Sequence, residues 1–165
     1  MKNQSEEFYT ARGYEISARE KSLTPSMEDY IEMIYRLSQE NGYTRVNDLA
    51  ANLNVQPPSV TRMIQRLSDK SLLQYEKYGM IHLTDEGKTA GRYFLDRHNT
   101  LKEFLTLIQA TENLQKDVER IEHYISFKAF EKISALVNFF RDHKEVLEQF
   151  YLYIDSHTIG TPNKK

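Results

Sequence analysis

Between Thr44 and Thr84 the chain changes its hydrophobic period, and this segment constrains the fold more than any other. Thr44 can cap a helix in which Val46, Leu49, Ala50 and Leu53 fall on one face. After a short turn, Asn54-Val55-Gln56, the run Pro57-Pro58-Ser59 opens a second helix. Prolines are tolerated there because first-turn N–H groups have no partner within the helix. Val60, Met63, Ile64 and Leu67 then face inward, leaving Ser59, Thr61, Arg62, Gln65, Arg66 and Asp69 outside. Leu73 to Tyr78, Gly79, and Met80 to Thr84 read as two short β-strands around a glycine turn. Two short helices joined by a tight turn, the second polar and basic outside, followed by a hairpin, describe a winged helix-turn-helix.

The flanks are helical. Thr24-Pro25 reads as an N-cap followed by proline at the first helical position, and Tyr30, Ile31, Ile34, Tyr35 and Leu37 give the stripe of a helix reaching about Glu40, where Asn41-Gly42 ends it. Asp85-Glu86-Gly87 starts a long helix, with acids at the positive end of its dipole, carrying Tyr93, Phe94, Leu101, Phe104, Leu105 and Ile108. From Thr111 the apolar spacing stays helical through Val118, Ile125, Val137, Phe140 and Phe150. Three small helices cannot bury so many aromatics alone, so a second copy of the chain is the expected cover. The predicted architecture is mainly α: a polar extension at 1–22, a winged helix-turn-helix DNA-binding domain at 23–92, a helical metal-binding and dimerisation domain at 93–157, and a tail at 158–165.

A length of 165 residues with 39% hydrophobic content allows one compact domain, or two small ones sharing a connecting helix. No apolar run approaches the ~18 residues needed to span a bilayer, and residues 1–22 lack the apolar stretch of a signal peptide, so the expectation is a soluble cytoplasmic protein without a membrane partner. The absence of cysteine excludes disulfides, thiolate zinc sites and iron–sulfur clusters, leaving oxygen and nitrogen as metal ligands. The net charge is only −2, yet residues 45–102 carry nine basic against six acidic residues, so the basic excess falls on the DNA-reading segment.

Two acidic clusters flank that segment. Glu119, Glu122 and His123, spaced i, i+3, i+4, aim two carboxylates and an imidazole from one helical face, and Asp29 and Glu32 form a second pair far upstream. Either cluster alone reads as a solvated polar face, and His98 alone as a hydrogen-bonding histidine. Flanking a winged helix together, they point to metal-controlled DNA binding.

The stretch Thr24-Pro25-Ser26-Met27-Glu28-Asp29-Tyr30-Ile31-Glu32, the block Ser59-Val60-Thr61, the wing Tyr75-Glu76-Lys77-Tyr78, Arg97-His98, and Asp117-Val118-Glu119 with Ile121-Glu122-His123 resemble the diphtheria toxin repressor family, most closely its manganese-sensing branch. The resemblance runs from about Leu23 to Phe140, motif by motif and in order. It implies a pair of Mn(II) ions per subunit held by Asp29, Glu32, His98, Glu119, Glu122 and His123. It implies a metal-activated homodimer that binds double-stranded operator DNA and represses manganese uptake genes, with no catalytic residue and no organic cofactor. Four carboxylates and two imidazoles suit Mn(II) or Fe(II), and the family's iron sensors have Met and Cys where this chain has Asp29 and Glu119. An iron-responsive regulator of the same family is the alternative, with other divalent ions binding but activating less. The candidates for the major groove and adjacent phosphates are Ser59, Thr61, Arg62, Gln65 and Arg66, with Lys77 and Tyr78 on the wing.

The chain departs from the family's pattern in three places: a longer N-terminal extension, Pro58 where a small polar residue is usual, and no added C-terminal β-domain of the iron-sensor kind. Two rivals come from other classes. A dinuclear metalloenzyme in a helix bundle would show Glu-x-x-His on two helices, whereas Arg120 here leaves Glu119 and His123 four apart and no second motif follows. A winged-helix sensor of a small organic ligand would leave both acidic clusters as solvated faces.

Overall fold

The structure, a computed structural model, describes residues 23–157. Residues 1–22 and 158–165, read above as an extension and a tail, lie outside the described residues. The chain divides into two compact units between Asn99 and Thr100.

The first unit begins with α1, Pro25–Leu37. Pro25 fills the first helical position, and the Thr24 hydroxyl accepts the Met27 N–H at 3.4 Å, as the Thr-Pro signal predicts. Met27, Tyr30, Ile31 and Ile34 give the helix its buried face, and burial pushes the Tyr30 phenol above its ordinary value. The helix stops at Leu37, short of the expected Glu40. From there residues 38–42 turn the chain, Gly42 taking φ +76°, and Thr44 arrives alongside the sheet.

Thr44 is not a helix cap. It forms β1, Thr44–Arg45, which pairs antiparallel with Ile81 and Met80, and its side chain is buried; Arg45 becomes the N-cap of α2, Val46–Leu53, without a side-chain capping bond. Strand pairing, a contact across some 36 positions, outweighs the local capping preference. Asn54 ends α2 in the left-handed conformation that asparagine tolerates. Next comes α3, Pro57–Asp69, whose Val60, Ile64 and Leu67 have no exposed surface. Each stabilises the docking of α3 by about 1.5–3 kcal/mol.

The wing is shorter than its hydrophobic alternation suggests. β2 ends at Tyr75 (Leu73–Tyr75) and β3 is Met80–Leu83, paired Leu73 with Leu83 and Tyr75 with Ile81. Between them Lys77–Gly79 makes one tight helical turn in which Tyr78 and Gly79 both have positive φ, at 71° and 76°, so the strand expected to reach Tyr78 cannot continue. The sheet order is β1-β3-β2.

Helix α4, Asp85–Leu107, starts in this unit. Two glycines on it allow close approach. A Cβ at Gly87 would sit 1.9 Å from the Leu72 carbonyl oxygen, and one at Gly91 would sit 2.6 Å from the Tyr35 Cβ on α1.

The second unit takes in the rest of α4, then α5 (Leu114–Glu122), α6 (Phe127–Asp142) and α7 (Lys144–His157). Its core is small: Leu101, Leu105 and Val118, with Phe104, Ile108, Leu114, Ile121, Ile125, Phe130 and Ile133 packed around them. Arg141 on α6 ties back to Glu103 on α4 with Nε and Nη2. Leu136, Phe139, Leu152 and Tyr153 remain exposed, the surplus that the sequence assigns to a second copy. Among the described residues no helix is long and apolar enough to cross a membrane.

Candidate metal centre and DNA-reading surface

The first unit carries three of the six proposed ligands. Asp29 and Glu32 lie on α1, where three residues bring them round to neighbouring positions on one side, and His98 lies on α4. Glu32 and His98 are both buried, and they offer donor atoms within 4.8 Å of each other. Two ligands of one ion, each about 2.1 Å from it, stand up to ~4.2 Å apart, so small side-chain adjustments bring this pair into ligation range. A buried carboxylate next to a buried imidazole is costly without a cation or a hydrogen-bond partner.

Two further contacts brace this half. The residues immediately before two of the ligands, Glu28 and Arg97, form an ion pair, Nη2 to Oε2 at 2.7 Å, with both side chains largely buried. The Arg97 guanidinium also lies over the rings of Phe94 and Tyr93, with its carbon 4.9 and 5.7 Å from their centroids. The close approach at Gly91 and the ion pair at Arg97 thus pin α4 to α1 at two points. Farther along α1, Arg36 donates from Nε and Nη2 to a single oxygen, Oε1, of Glu32.

The second unit carries the other three. Helix α5 ends at Glu122, and His123 is its C-cap, still with helical backbone angles. Glu122 is buried, with Oε1 3.7 Å from His123 Nε2. Glu119, one turn earlier, is exposed, and its Oε1 accepts a hydrogen bond from Gln115 Nε2 at 2.9 Å. The donors in both units are carboxylate and imidazole throughout. That set fits a hard to borderline divalent ion and offers nothing to a soft one.

On α3 the surface opposite the core is polar. Ser59, Thr61, Arg62, Gln65 and Arg66 are all exposed. Some of these groups bond to nearby atoms of the same helix: the Thr61 hydroxyl donates to the Pro57 carbonyl, and Gln65 Nε2 to Asp69 Oδ1 at 3.0 Å. Pro57 and Pro58 have no N–H, and the N–H groups of Ser59 and Val60 are bonded to the Gln56 carbonyl, so this end of α3 offers an anion side chains rather than backbone donors. Tyr78 stands at the wing tip, 89% exposed; Lys77 lies in the same turn, and its side chain lies outside the described residues.

Sequence reasoning missed Arg36, Glu28, Arg97 and Gly91. The i, i+4 order of Glu32 and Arg36 and the i, i+4 spacing of Gly87 and Gly91 were the available signals. The pairing of Glu28 with Arg97 crosses 69 positions and had none.

Comparison with known proteins gives a consistent set of similarities. A family described as "Iron dependent repressor, N-terminal DNA binding domain" matches residues 22–81, and "Iron dependent repressor, metal binding and dimerisation domain" matches residues 84–150. The HTH-type transcriptional regulator MntR of Geobacillus kaustophilus is 48% identical over 126 residues, covering 76% of this chain and 89% of that protein. The regulator of the same name in Bacillus subtilis is 47% identical over 120 residues, covering 72% and 84%. Among solved structures, the manganese regulator SloR aligns with a TM-score of 0.62 at 24% identity, over 70% of this chain and 55% of that one, a likeness of fold. The IdeR of T. acidophilum aligns at 0.56 and 26% identity, over 68% of this chain and 53% of its own. The chain therefore spans about half the length of these two solved chains.

Proposed function

The chain belongs to the iron dependent repressor family, as a DNA-binding transcriptional regulator and not an enzyme, and we propose that it is the manganese-responsive repressor of manganese uptake genes, acting in the cytoplasm as a homodimer. The observation that carries this reading is the buried Glu32–His98 pair, built into the same compact unit as the exposed polar face of α3.

The metal would be held by Asp29, Glu32 and His98 from the first unit and by Glu119, Glu122 and His123 from the second. When bound it supplies positive charge that offsets buried carboxylates. Because Asp29 and Glu32 share a unit with α3, while Glu119, Glu122 and His123 follow in the unit matched by the dimerisation domain, ligation by both sets would reduce their relative freedom. A dimer restrained in this way presents its two α3 helices at the spacing of two operator half-sites. Moving a population from mostly incompetent to mostly competent takes about 5.5 kcal/mol of differential binding, within the range of two divalent ions. Arg62 and Gln65 are the proposed base readers, with Ser59, Thr61, Arg66, Lys77 and Tyr78 on phosphates or the adjacent groove. Selectivity rests on geometry, since zinc generally binds nitrogen and oxygen sites more tightly than manganese yet prefers four ligands.

The test is operator selection and binding with metal-stripped protein, followed by titration of manganese, iron and zinc, beside a Glu119→Ala/His123→Ala variant. Sequence-selective binding that appears with manganese and is lost in the variant is the expected result. Binding indifferent to metal would return the acidic clusters to a solvated face, and equal activation by zinc would remove the geometric account of selectivity.

A further inference from the structure

Glu32 is a proposed ligand already engaged by a permanent cation of its own helix. Arg36, one turn along α1, places both Nε (2.9 Å) and Nη2 (2.5 Å) on the same carboxylate oxygen, Oε1. Among the described residues Oε2 makes no hydrogen bond, and the Glu32 carboxylate offers an oxygen within 4.8 Å of a His98 ring nitrogen. The Arg36 side chain is 36% exposed, so its far side reaches solvent while its donors point inward.

We propose that Arg36 is a built-in competitor cation that sets the metal concentration at which this protein responds. This rests on the reading of Glu32 as a metal ligand. A guanidinium stays charged at every physiological pH. With no metal bound, it neutralises a carboxylate that burial would otherwise leave costly. Once a divalent ion arrives on the same carboxylate, two cations share one anion, and their repulsion subtracts from binding.

An opposing effect exists. A hydrogen bond on Oε1 holds the carboxylate in place and leaves Oε2 presented, and such outer contacts commonly strengthen metal sites by orienting their ligands. The partners that strengthen a site most are neutral or anionic, and they raise ligand basicity. A guanidinium instead repels the incoming ion. Helical backbone and the packing of α1 against α4 already restrict Glu32, so orientation is the smaller contribution here and charge the larger.

The experiment is direct manganese binding to metal-stripped full-length protein, read from the electron paramagnetic resonance of free Mn(II). It compares the natural chain with Arg36→Met, Arg36→Gln and Arg36→Lys, with thermal unfolding of each metal-free protein alongside. Removal of charge in Arg36→Met and Arg36→Gln should tighten binding by about tenfold or more and lower the unfolding temperature of the metal-free protein, because Glu32 loses its partner. Arg36→Lys keeps the charge and should stay within a few-fold of the natural chain. Unchanged or weaker manganese binding in both neutral variants would overturn the proposal and make Arg36 an orienting residue. A natural chain that binds no manganese at all would overturn the functional reading itself. The two failures are therefore distinguishable.

Discussion

Replacing Gly91 by alanine tests whether the seam between α1 and α4 is as tight as it looks. The added Cβ would lie 2.6 Å from the Tyr35 Cβ and 3.1 Å from the Ile31 carbonyl oxygen. Carbon atoms pack best at about 3.5–4.0 Å, so α4 and α1 must part by roughly 1 Å. Tyr35 Cβ is rooted on its own backbone and cannot swing aside as a side-chain tip could. Overpacking of this kind costs about 1–3 kcal/mol. Alanine recovers about 1 kcal/mol in helix propensity, leaving a net loss of about 1 kcal/mol. For a chain of this size that lowers the unfolding temperature by about 2–4 °C. The seam also carries Glu32 and His98, whose donor atoms lie within 4.8 Å. A ligand set tolerates about 0.5 Å of misplacement, so manganese affinity should fall at least ~10-fold, more than the stability change alone would suggest. Circular dichroism of metal-free protein and a manganese titration read the two effects separately. A Gly91→Ala protein that is as stable as the natural chain and binds manganese equally well would refute the close approach and the inference that it positions the proposed ligands.

Three other perturbations follow from the same geometry. Breaking the largely buried Arg97–Glu28 pair from one side, as in Arg97→Met or Glu28→Gln, should cost about 3 kcal/mol, with the double variant well short of the sum; strict additivity in urea unfolding would mean the two groups do not interact. Because burial raises the Tyr30 phenol above its ordinary value of 10.0, the unfolded chain loses that proton first; the contribution of this group to stability is full below about pH 10 and is lost as pH rises through the folded value, by up to ~1.4 kcal/mol per pH unit. Tyr30→Phe should remove that part of the alkaline slope, and an identical slope in the variant would place the titration elsewhere. On operator DNA, Arg62→Ala should cost about 1–3 kcal/mol and relax base preference at one position per half-site, whereas Arg66→Ala should weaken all sequences alike and reduce the salt dependence of binding by about one phosphate contact; the reverse pattern in a binding-site selection would exchange their roles.

The sequence already showed the features whose causes are local. The Thr24-Pro25 cap, the buried stripe of Val60, Ile64 and Leu67, and the exposed face around Arg62 and Gln65 all follow from periods of three and four residues and from capping chemistry. What it hid depends on topology. Thr44 looks like a cap until Ile81 is known to lie beside it, Tyr78 looks like strand until the loop is seen to close through two positive φ angles, and nothing in a one-dimensional pattern joins Glu28 to Arg97.

The ligand candidates divide along the same line. Spacing alone groups Glu119, Glu122 and His123 as equals, yet Glu122 is 3% exposed and Glu119 open to solvent. In a helix three residues rotate by about 300°, so the two carboxylates stand about 60° apart, enough in a short helix to separate a buried position from an open one. A stronger signal was available. Glu122 falls four residues after Val118 and eight after Leu114, on the buried stripe of α5; His98 falls four after Phe94 and three before Leu101, on the buried stripe of α4. Glu32 sits directly beside Ile31 and two before Ile34, among the buried positions of α1. An ionisable group on an apolar stripe bears a desolvation cost that a solvated face does not, and it persists where a partner offsets that cost. Glu32, His98 and Glu122 meet that criterion and Glu119 does not, so burial ranks the ligand candidates where spacing only gathers them.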